Sequence, residues 1–216
     1  MVPFEQIAAE GFRPTCTRRL CYVIGEQNVH CVSGRHTLLF LMVAISGVAL
    51  SACSSAPPER IAFVSNRYDG MAEVFVMNAD GSGQIPLTDN PAHDMAPAWS
   101  PDGERIAFVS GVTNNPATDE SPAWSPDGTR IAFTSGRDDN AEIYVMNADG
   151  SEQARVTNNP ALDRSPAWSP DGTRIAFVSD RDGNLEIYAM NADGSGQTNL
   201  THNSGHDISP AWRPQP

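Results

Sequence analysis

Lysine is absent from this sequence, and all 14 of its basic residues are arginines, against 26 acidic residues. The resulting formal net charge of −12 gives no electrostatic attraction to nucleic acid or to an anionic lipid surface. We therefore expect no nucleic-acid partner.

Cysteine is absent after Cys53, so the last three-quarters of the chain can form neither a disulfide nor a thiolate metal site. The other three cysteines, Cys16, Cys21 and Cys31, have a spacing that fits no zinc motif. A catalytic nucleophile motif is missing as well: Gly-Xaa-Ser-Xaa-Gly does not occur, and the five histidines do not recur with a serine or cysteine. The sequence thus gives no sign of a hydrolase active site.

No apolar run is long enough to cross a bilayer, which takes roughly 20 residues. The run Leu38–Leu50 instead has the length of a signal-peptide core, and Leu50-Ser51-Ala52-Cys53 after it resembles a bacterial lipobox. We expect residues 1–52 to be a removed extension and signal, Cys53 to be lipidated, and residues 53–58 to be a tether. An ordinary signal or a buried strand is the alternative, and Val32 is an alternative start site.

What the sequence does contain is a repeat. The stretch Ser165–Ser179 (SPAWSPDGTRIAFVS) recurs with small changes at residues 96–110 and 121–135. Its second half opens the series at residues 59–65, and its first half closes the series at residues 209–212. One arginine marks the same point in each copy: Arg60, Arg105, Arg130 and Arg174. The successive spacings between them are 45, 25 and 44 residues.

Each unit predicts four short antiparallel strands, named A to D. Asp-Gly turns between apolar runs are strong hairpin signals. Strand B (Arg174–Ser179 in one copy) is apolar on both faces, so both faces must be covered, and sheets stacked around an axis achieve this. We predict an all-β propeller over residues 59–216, with about four blades of four antiparallel strands.

The run from Ser169 to Thr201 resembles the WD-like repeat of TolB-type β-propellers, and also the propeller of prolyl-oligopeptidase relatives. The resemblance extends from Glu59 to Trp212. It implies a non-catalytic scaffold of the bacterial cell envelope that holds a protein or peptide through propeller loops. With a lipid on Cys53, the protein would face the periplasm or the exterior.

Two irregularities bear on the predicted ring. The unit after Arg105–Ser110 is 19 residues short and lacks its B–C hairpin, strand C and most of strand D, so we expect one truncated blade. The first unit lacks strand A, while the chain ends in a spare strand A at Trp212. We expect these two ends to share a blade, or an incomplete ring that self-association completes.

Four tryptophans fall at one position of strand A, and we interpret them as core residues: Trp99, Trp124, Trp168 and Trp212. Turn aspartates need no function beyond bonding to the turn backbone. The segment Asp180–Asn184 faintly resembles a calcium loop, but the further ligand positions are missing, and we interpret it as a hairpin.

A candidate binding face comes from two further recurrences. An aspartate precedes each tryptophan by five residues, and an arginine follows the last serine of strand B by two; both groups should meet at one end of the ring: Asp94, Asp119, Asp163, Asp207, Arg67, Arg137 and Arg181. The short unit has no such arginine. Either the face is a ring of structural ion pairs, or the unmatched aspartate receives a cationic peptide or a metal ion, calcium included.

Two alternative functions stay open at this point. His93 and His206 share one repeat position, and a propeller lyase or hydrolase acting on sugars or peptides would use such histidines with a metal. A truncated gene product without a selected function is the other alternative. No cofactor is expected for the scaffold.

Overall fold

The computed structural model describes residues 19–24, 28–31, 59–68, 70–111 and 119–214, with only the backbone for the first two segments. In these residues every regular element is a strand, and no helix is present that could cross a membrane. Cys53 and the tether lie outside the described residues. The strands are β1 (Arg19–Ile24), β2 (Asn28–Cys31), β3 (Arg60–Ser65), β4 (Glu73–Asn78), β5 (Ile85–Pro86), β6 (His93–Trp99), β7 (Arg105–Gly111), β8 (Asp119–Trp124), β9 (Arg130–Asp138), β10 (Asn140–Asn147), β11 (Ala154–Arg155), β12 (Asp163–Trp168), β13 (Arg174–Ser179), β14 (Glu186–Asn191) and β15 (Thr198–Asn199).

The strands form four antiparallel sheets, which are the blades of the predicted propeller. The first blade is β3-β4-β5, the third is β8-β9-β10-β11 and the fourth is β12-β13-β14-β15. The second blade has the order β6-β7-β1-β2. The all-β propeller architecture is confirmed.

Turn aspartates and glycines build the hairpins as the sequence predicts. In the fourth blade the Ser169 hydroxyl donates to Asp171 at 2.6 Å, and Asp171 also accepts the Thr173 backbone N–H. These hydrogen bonds stabilise the carboxylate and lower the pKa of Asp171 to about 2. Gly172 has a φ of +69°, which an L side chain rarely adopts. The same Ser–Asp contact recurs in the turns at Asp102 and Asp127.

The blade expected to be truncated is four-stranded, because residues 19–31 supply its two outer strands. Strand β1 runs antiparallel to β7, with Arg19 opposite Ser110 and Ile24 opposite Arg105. Strand β2 then pairs with β1. No periodic signal predicts this pairing, because β1 and β2 share no motif with the repeats; they satisfy the backbone groups that β7 would otherwise leave open.

The ring is open. Among the described residues, β3 has no strand on the side away from β4, so the expected blade shared between the two chain ends is not formed. The last segment, residues 207–212, lies beside the fourth blade. There the Trp212 indole N–H donates to the Ala167 carbonyl at 3.0 Å, and the Asp207 N–H donates to the Leu185 carbonyl at 2.7 Å.

Contacts between neighbouring blades repeat along the arc. The Trp124 indole N–H donates to the Ala98 carbonyl of the preceding blade at 3.0 Å, and the Arg105 guanidinium of that blade lies 4.6 Å from the Trp124 ring centre. Arg130 lies over Trp168 at the same distance. Trp124 and Trp168 are buried, whereas Trp99 and Trp212 are partly exposed.

We predict that Trp124→Ala lowers the free energy of unfolding by about 3–5 kcal/mol, because it empties a buried site between two blades. Trp212→Ala is the matched control, since Trp212 has the same repeat position but packs against only one blade of the described residues. Urea unfolding should show less than half the loss for that variant. Equal losses would contradict the inter-blade role of Trp124.

Candidate binding face at the aspartate end

Two complete aspartate–arginine pairs lie at one end of the arc, in the third and fourth blades. Strand pairing sets each aspartate opposite the last serine of strand B: Asp119 opposite Ser135, and Asp163 opposite Ser179. The arginine two residues further on turns back to that aspartate. Arg181 donates to both oxygens of Asp163 at 2.9 and 3.1 Å, and Arg137 binds Asp119 at 3.0 and 3.2 Å.

Each of these arginines is held from several sides. Arg181 donates to the Ser179 hydroxyl and the Gln197 side-chain carbonyl, both at 2.8 Å, and its guanidinium lies 4.5 Å from the Tyr188 ring centre. Arg137 repeats the pattern in its own blade. A planar guanidinium with this many partners has little freedom to contact a ligand.

The first blade presents the same arginine without the aspartate. Arg67 donates to Ser65 at 2.9 Å and to Gln84 at 2.6 Å, and lies 4.6 Å from the Phe75 ring centre. In the part of the chain that the structure describes, no carboxylate binds Arg67. Asp207, at the other end of the arc, accepts a hydrogen bond from Asn203 at 2.6 Å and binds no arginine of the described residues.

Asp94, in the second blade, is the buried aspartate whose unit lacks the arginine. Its Oδ2 accepts a hydrogen bond from Asn90 at 2.7 Å, while its Oδ1 has no hydrogen-bond partner in the described part of the chain. The sequence anticipated an unmatched carboxylate at this place. Asp94 is fully buried, however, so it does not form the open negative gap that we expected at the mouth.

His93 and His206 do not approach one another and have the same structural task. The Nδ1 of His93 accepts the Ala72 backbone N–H at 3.1 Å, and the Nδ1 of His206 accepts the Leu185 N–H at 3.2 Å. Each histidine lies at the start of a strand A. It accepts the backbone N–H of the residue just before strand C in the preceding blade. Nowhere in the described residues do three or more His, Cys, Asp or Glu side chains group as a metal site would require.

A buried glutamate lies at or near the start of strand C in three blades, and the sequence reasoning missed it. Glu142 accepts hydrogen bonds from the Thr157 hydroxyl at 2.6 Å and the Asn159 N–H at 3.0 Å, and the Asn159 side chain donates to Asp163 at 2.6 Å. Glu73 and Glu186 occupy the equivalent positions. The signal was present, because each glutamate lies two residues before the aromatic residue of strand C.

Burial governs the protonation of several groups at this end. It raises the pKa of Asp119 even though the Arg137 charge favours the ionised form. Burial and donation to the Asp182 carboxylate raise the pKa of Tyr188 to about 12. Burial and donation to the Asp138 carboxylate likewise raise the pKa of Tyr144. Asp182 accepts hydrogen bonds from the side chains of Tyr188 and Asn199. These contacts agree with the interpretation of Asp180–Asn184 as a hairpin.

The chain is similar to known β-propeller proteins. The family model PD40, described as the TolB beta propeller domain, matches residues 111–216. Dipeptidyl-peptidase 5 of Porphyromonas gingivalis is 53% identical over 38 residues, and the Tol-Pal system protein TolB of Actinobacillus succinogenes is 45% identical over 51 residues. These matches cover 18% and 24% of this chain but only 6% and 12% of those proteins.

A solved structure, TolB from Acinetobacter baumannii, superposes with a TM-score of 0.57 at 27% identity. The superposition covers 68% of this chain and 42% of that one. The chain therefore spans less than half of that structure.

We predict that Asp163→Asn lowers the free energy of unfolding by about 2–4 kcal/mol, because it leaves the half-buried Arg181 without its counter-charge. Asp94→Asn is the matched variant. It removes a buried charge that no arginine of the described residues neutralises, so its loss should stay below about 1 kcal/mol. Urea denaturation of both variants measures the difference. A loss at Asp94 as large as that at Asp163 would show that Asp94 also has a charged partner.

Proposed function

From the premise that this chain carries a TolB-like β-propeller, we propose that it is a non-catalytic binding scaffold of the bacterial cell envelope. The family match and the TolB relatives support an envelope-associated, protein-binding role at this coarse level. The proposal adds that a protein or peptide binds through the loops at the aspartate end, and that a lipid on Cys53 anchors the chain to a membrane.

The observation that carries the non-catalytic part is that the polar groups at this end, apart from the unbonded Oδ1 of Asp94, are engaged by other groups of the propeller. Asp119 and Asp163 are bound by arginines, the buried glutamates by threonine, asparagine or backbone groups, and the two histidines by backbone N–H groups. General acid–base chemistry needs a group that can approach the substrate and exchange a proton with it. These side chains instead hold the loops in fixed positions, which suits recognition of a partner.

Charge indicates the chemistry of that partner. The chain has a net charge of −12, so a cationic surface or segment would be attracted and an anionic one repelled. The B–C hairpins place exposed acidic groups at the aspartate end, among them Asp138 and Asp139. We therefore propose a basic segment of an envelope protein as the ligand.

The lipid anchor has a structural consequence. Processing at Cys53 would remove β1 and β2, which lie at residues 19–31, and would leave β7 as the outer edge of the second blade. A chain cleaved before Cys53 therefore cannot keep β1 and β2.

The similarity to a peptidase does not favour an enzymatic function. It covers 38 residues of this chain and 6% of that protein. His93 and His206 are each used by a backbone group and do not group with other ligands among the described residues.

We expect a photoreactive amino acid at Asp139, in a B–C hairpin, to cross-link the chain to a basic envelope protein in intact cells. The same substitution at Glu104, in an A–B turn at the opposite end, is the matched control and should give no adduct. Gel shifts after irradiation measure both. Adducts of equal yield from the two positions would contradict binding at the aspartate end.

For the anchor, we predict that Cys53→Ser abolishes incorporation of a labelled fatty acid and releases the chain from membranes. Metabolic labelling followed by membrane fractionation measures both effects. If the unsubstituted chain takes up no label, the lipid anchor is wrong while the scaffold function stands.

A further inference from the structure

Two cysteines lie directly opposite one another in the second blade. In the antiparallel pair of β1 and β2, the register sets Cys21 against Cys31. Directly opposite residues of such a pair share one face of the sheet, and their Cα atoms are about 4.5–5.5 Å apart. A disulfide needs a Cα separation of roughly 4.4–6.8 Å. The backbone of this hairpin therefore provides the separation that a disulfide between Cys21 and Cys31 requires.

The register selects one pairing among those that the sequence allows. The chain has four cysteines, and four cysteines can pair completely in three ways. Cys16 and Cys53 lie outside the described residues, whereas Cys21 and Cys31 are placed opposite one another. The pairing of β1 with β2 thus favours the bond between Cys21 and Cys31 over the other combinations.

The outer strands of two other blades are linked by side chains that β1 and β2 lack. In the first and third blades a buried glutamate of strand C accepts a hydrogen bond from a threonine just after strand D: Glu73 from Thr88, and Glu142 from Thr157. The sequences of β1 and β2 contain neither glutamate nor threonine. A covalent bond between opposite residues would hold the same two strand positions together in the second blade.

We propose that Cys21 and Cys31, opposite one another in β1 and β2, form a disulfide that joins the two outer strands of the second blade. Each thiol gives up one proton and one electron, and an oxidant of the disulfide class, such as oxidised glutathione, is reduced to two thiols. One cysteine thiolate attacks the oxidant and releases the first thiol. The other cysteine then attacks the mixed disulfide and releases the second.

The bond belongs to a chain that keeps residues 19–31, since cleavage before Cys53 would remove both cysteines. Disulfides form and persist in oxidising compartments outside the cytoplasm, which agrees with the proposed location in the cell envelope. The inference goes beyond the scaffold function and does not depend on a partner at the aspartate end. Its failure would therefore leave the proposed function untouched.

Tryptic mapping of the full, uncleaved chain identifies the bond directly. Cleavage after Arg19 and Arg35 gives a peptide of residues 20–35 that contains both cysteines, whereas Cys16 and Cys53 fall in other peptides. The chain is oxidised with glutathione, treated with iodoacetamide and digested without reduction. We expect this peptide to be lighter by two hydrogens and to carry no alkyl group. After reduction it should take up two alkyl groups.

A register-shifted variant tests whether the hairpin brings the two thiols together. In His30→Cys/Cys31→Ser the second cysteine moves to the residue opposite Tyr22, and so to the other face of the sheet. The distance along the chain changes by only one residue, so unfolded chains of both kinds should oxidise alike. Both chains also carry Cys16→Ser and Cys53→Ser, which leaves only the tested pair of thiols.

The readout is the equilibrium constant for oxidation in a glutathione redox buffer. We expect this constant to be about tenfold or more lower in the register-shifted variant than in the chain with Cys21 and Cys31. In concentrated urea the two constants should agree. Circular dichroism checks that both chains are folded in the absence of urea.

Two outcomes would overturn the proposal. The first is a peptide of residues 20–35 that keeps two free thiols, or that is linked to the peptide of Cys16 or Cys53, after oxidation of the folded chain. The second is an equal oxidation constant for the two folded chains. That result would show that closeness in sequence, and not the register of β1 and β2, brings the thiols together.

Discussion

Each blade of this protein depends on the tryptophan of the next one. A strand B that is apolar on both faces cannot remain in water, and its own sheet covers neither face. The tryptophan of the following blade packs against one of these faces, and an arginine of the preceding blade lies over the ring of Trp124, Trp168 and Trp212. The indole N–H of Trp124 and of Trp212 also donates to a backbone carbonyl, whereas that of Trp168 has no hydrogen-bond partner among the described residues. This contact links neighbouring blades, and blades that lack a neighbour keep an exposed face.

A second set of contacts, which links the third blade to the fourth, holds the loops at the aspartate end. The buried Glu142 is linked through Asn159 to Asp163, which is bound in turn by Arg181. Buried charges are costly unless they are paired and hydrogen-bonded, and here the partners come from two neighbouring blades and their loops. Asp94 illustrates the effect of a missing arginine, since its carboxylate is buried with one oxygen unbonded among the described residues.

Sequence reasoning reached the features that are local and repeated. The Asp-Gly hairpins and the pairing of Asp163 with Arg181 follow from spacing within one unit, because strand geometry fixes which side chains share an end of a blade. The Glu186 position was missed because a single acidic residue in an apolar strand has no spacing signal until the repeats are aligned. Strands β1 and β2 were missed for a different reason: they pair through backbone groups, and any extended segment can supply these.

The pairing of β1 with β7 has a consequence for the order of folding. Ile24 and Arg105 are opposite one another in the sheet although they lie 81 residues apart in the chain. The ribosome produces β1 and β2 first, yet their acceptor strand follows only after β3 to β6 have been made. Pairing over such a distance closes a long loop and is slow compared with a local hairpin. In a chain that keeps β1 and β2, the outer half of the second blade is therefore expected to form late, and β7 can pair with a foreign strand before then.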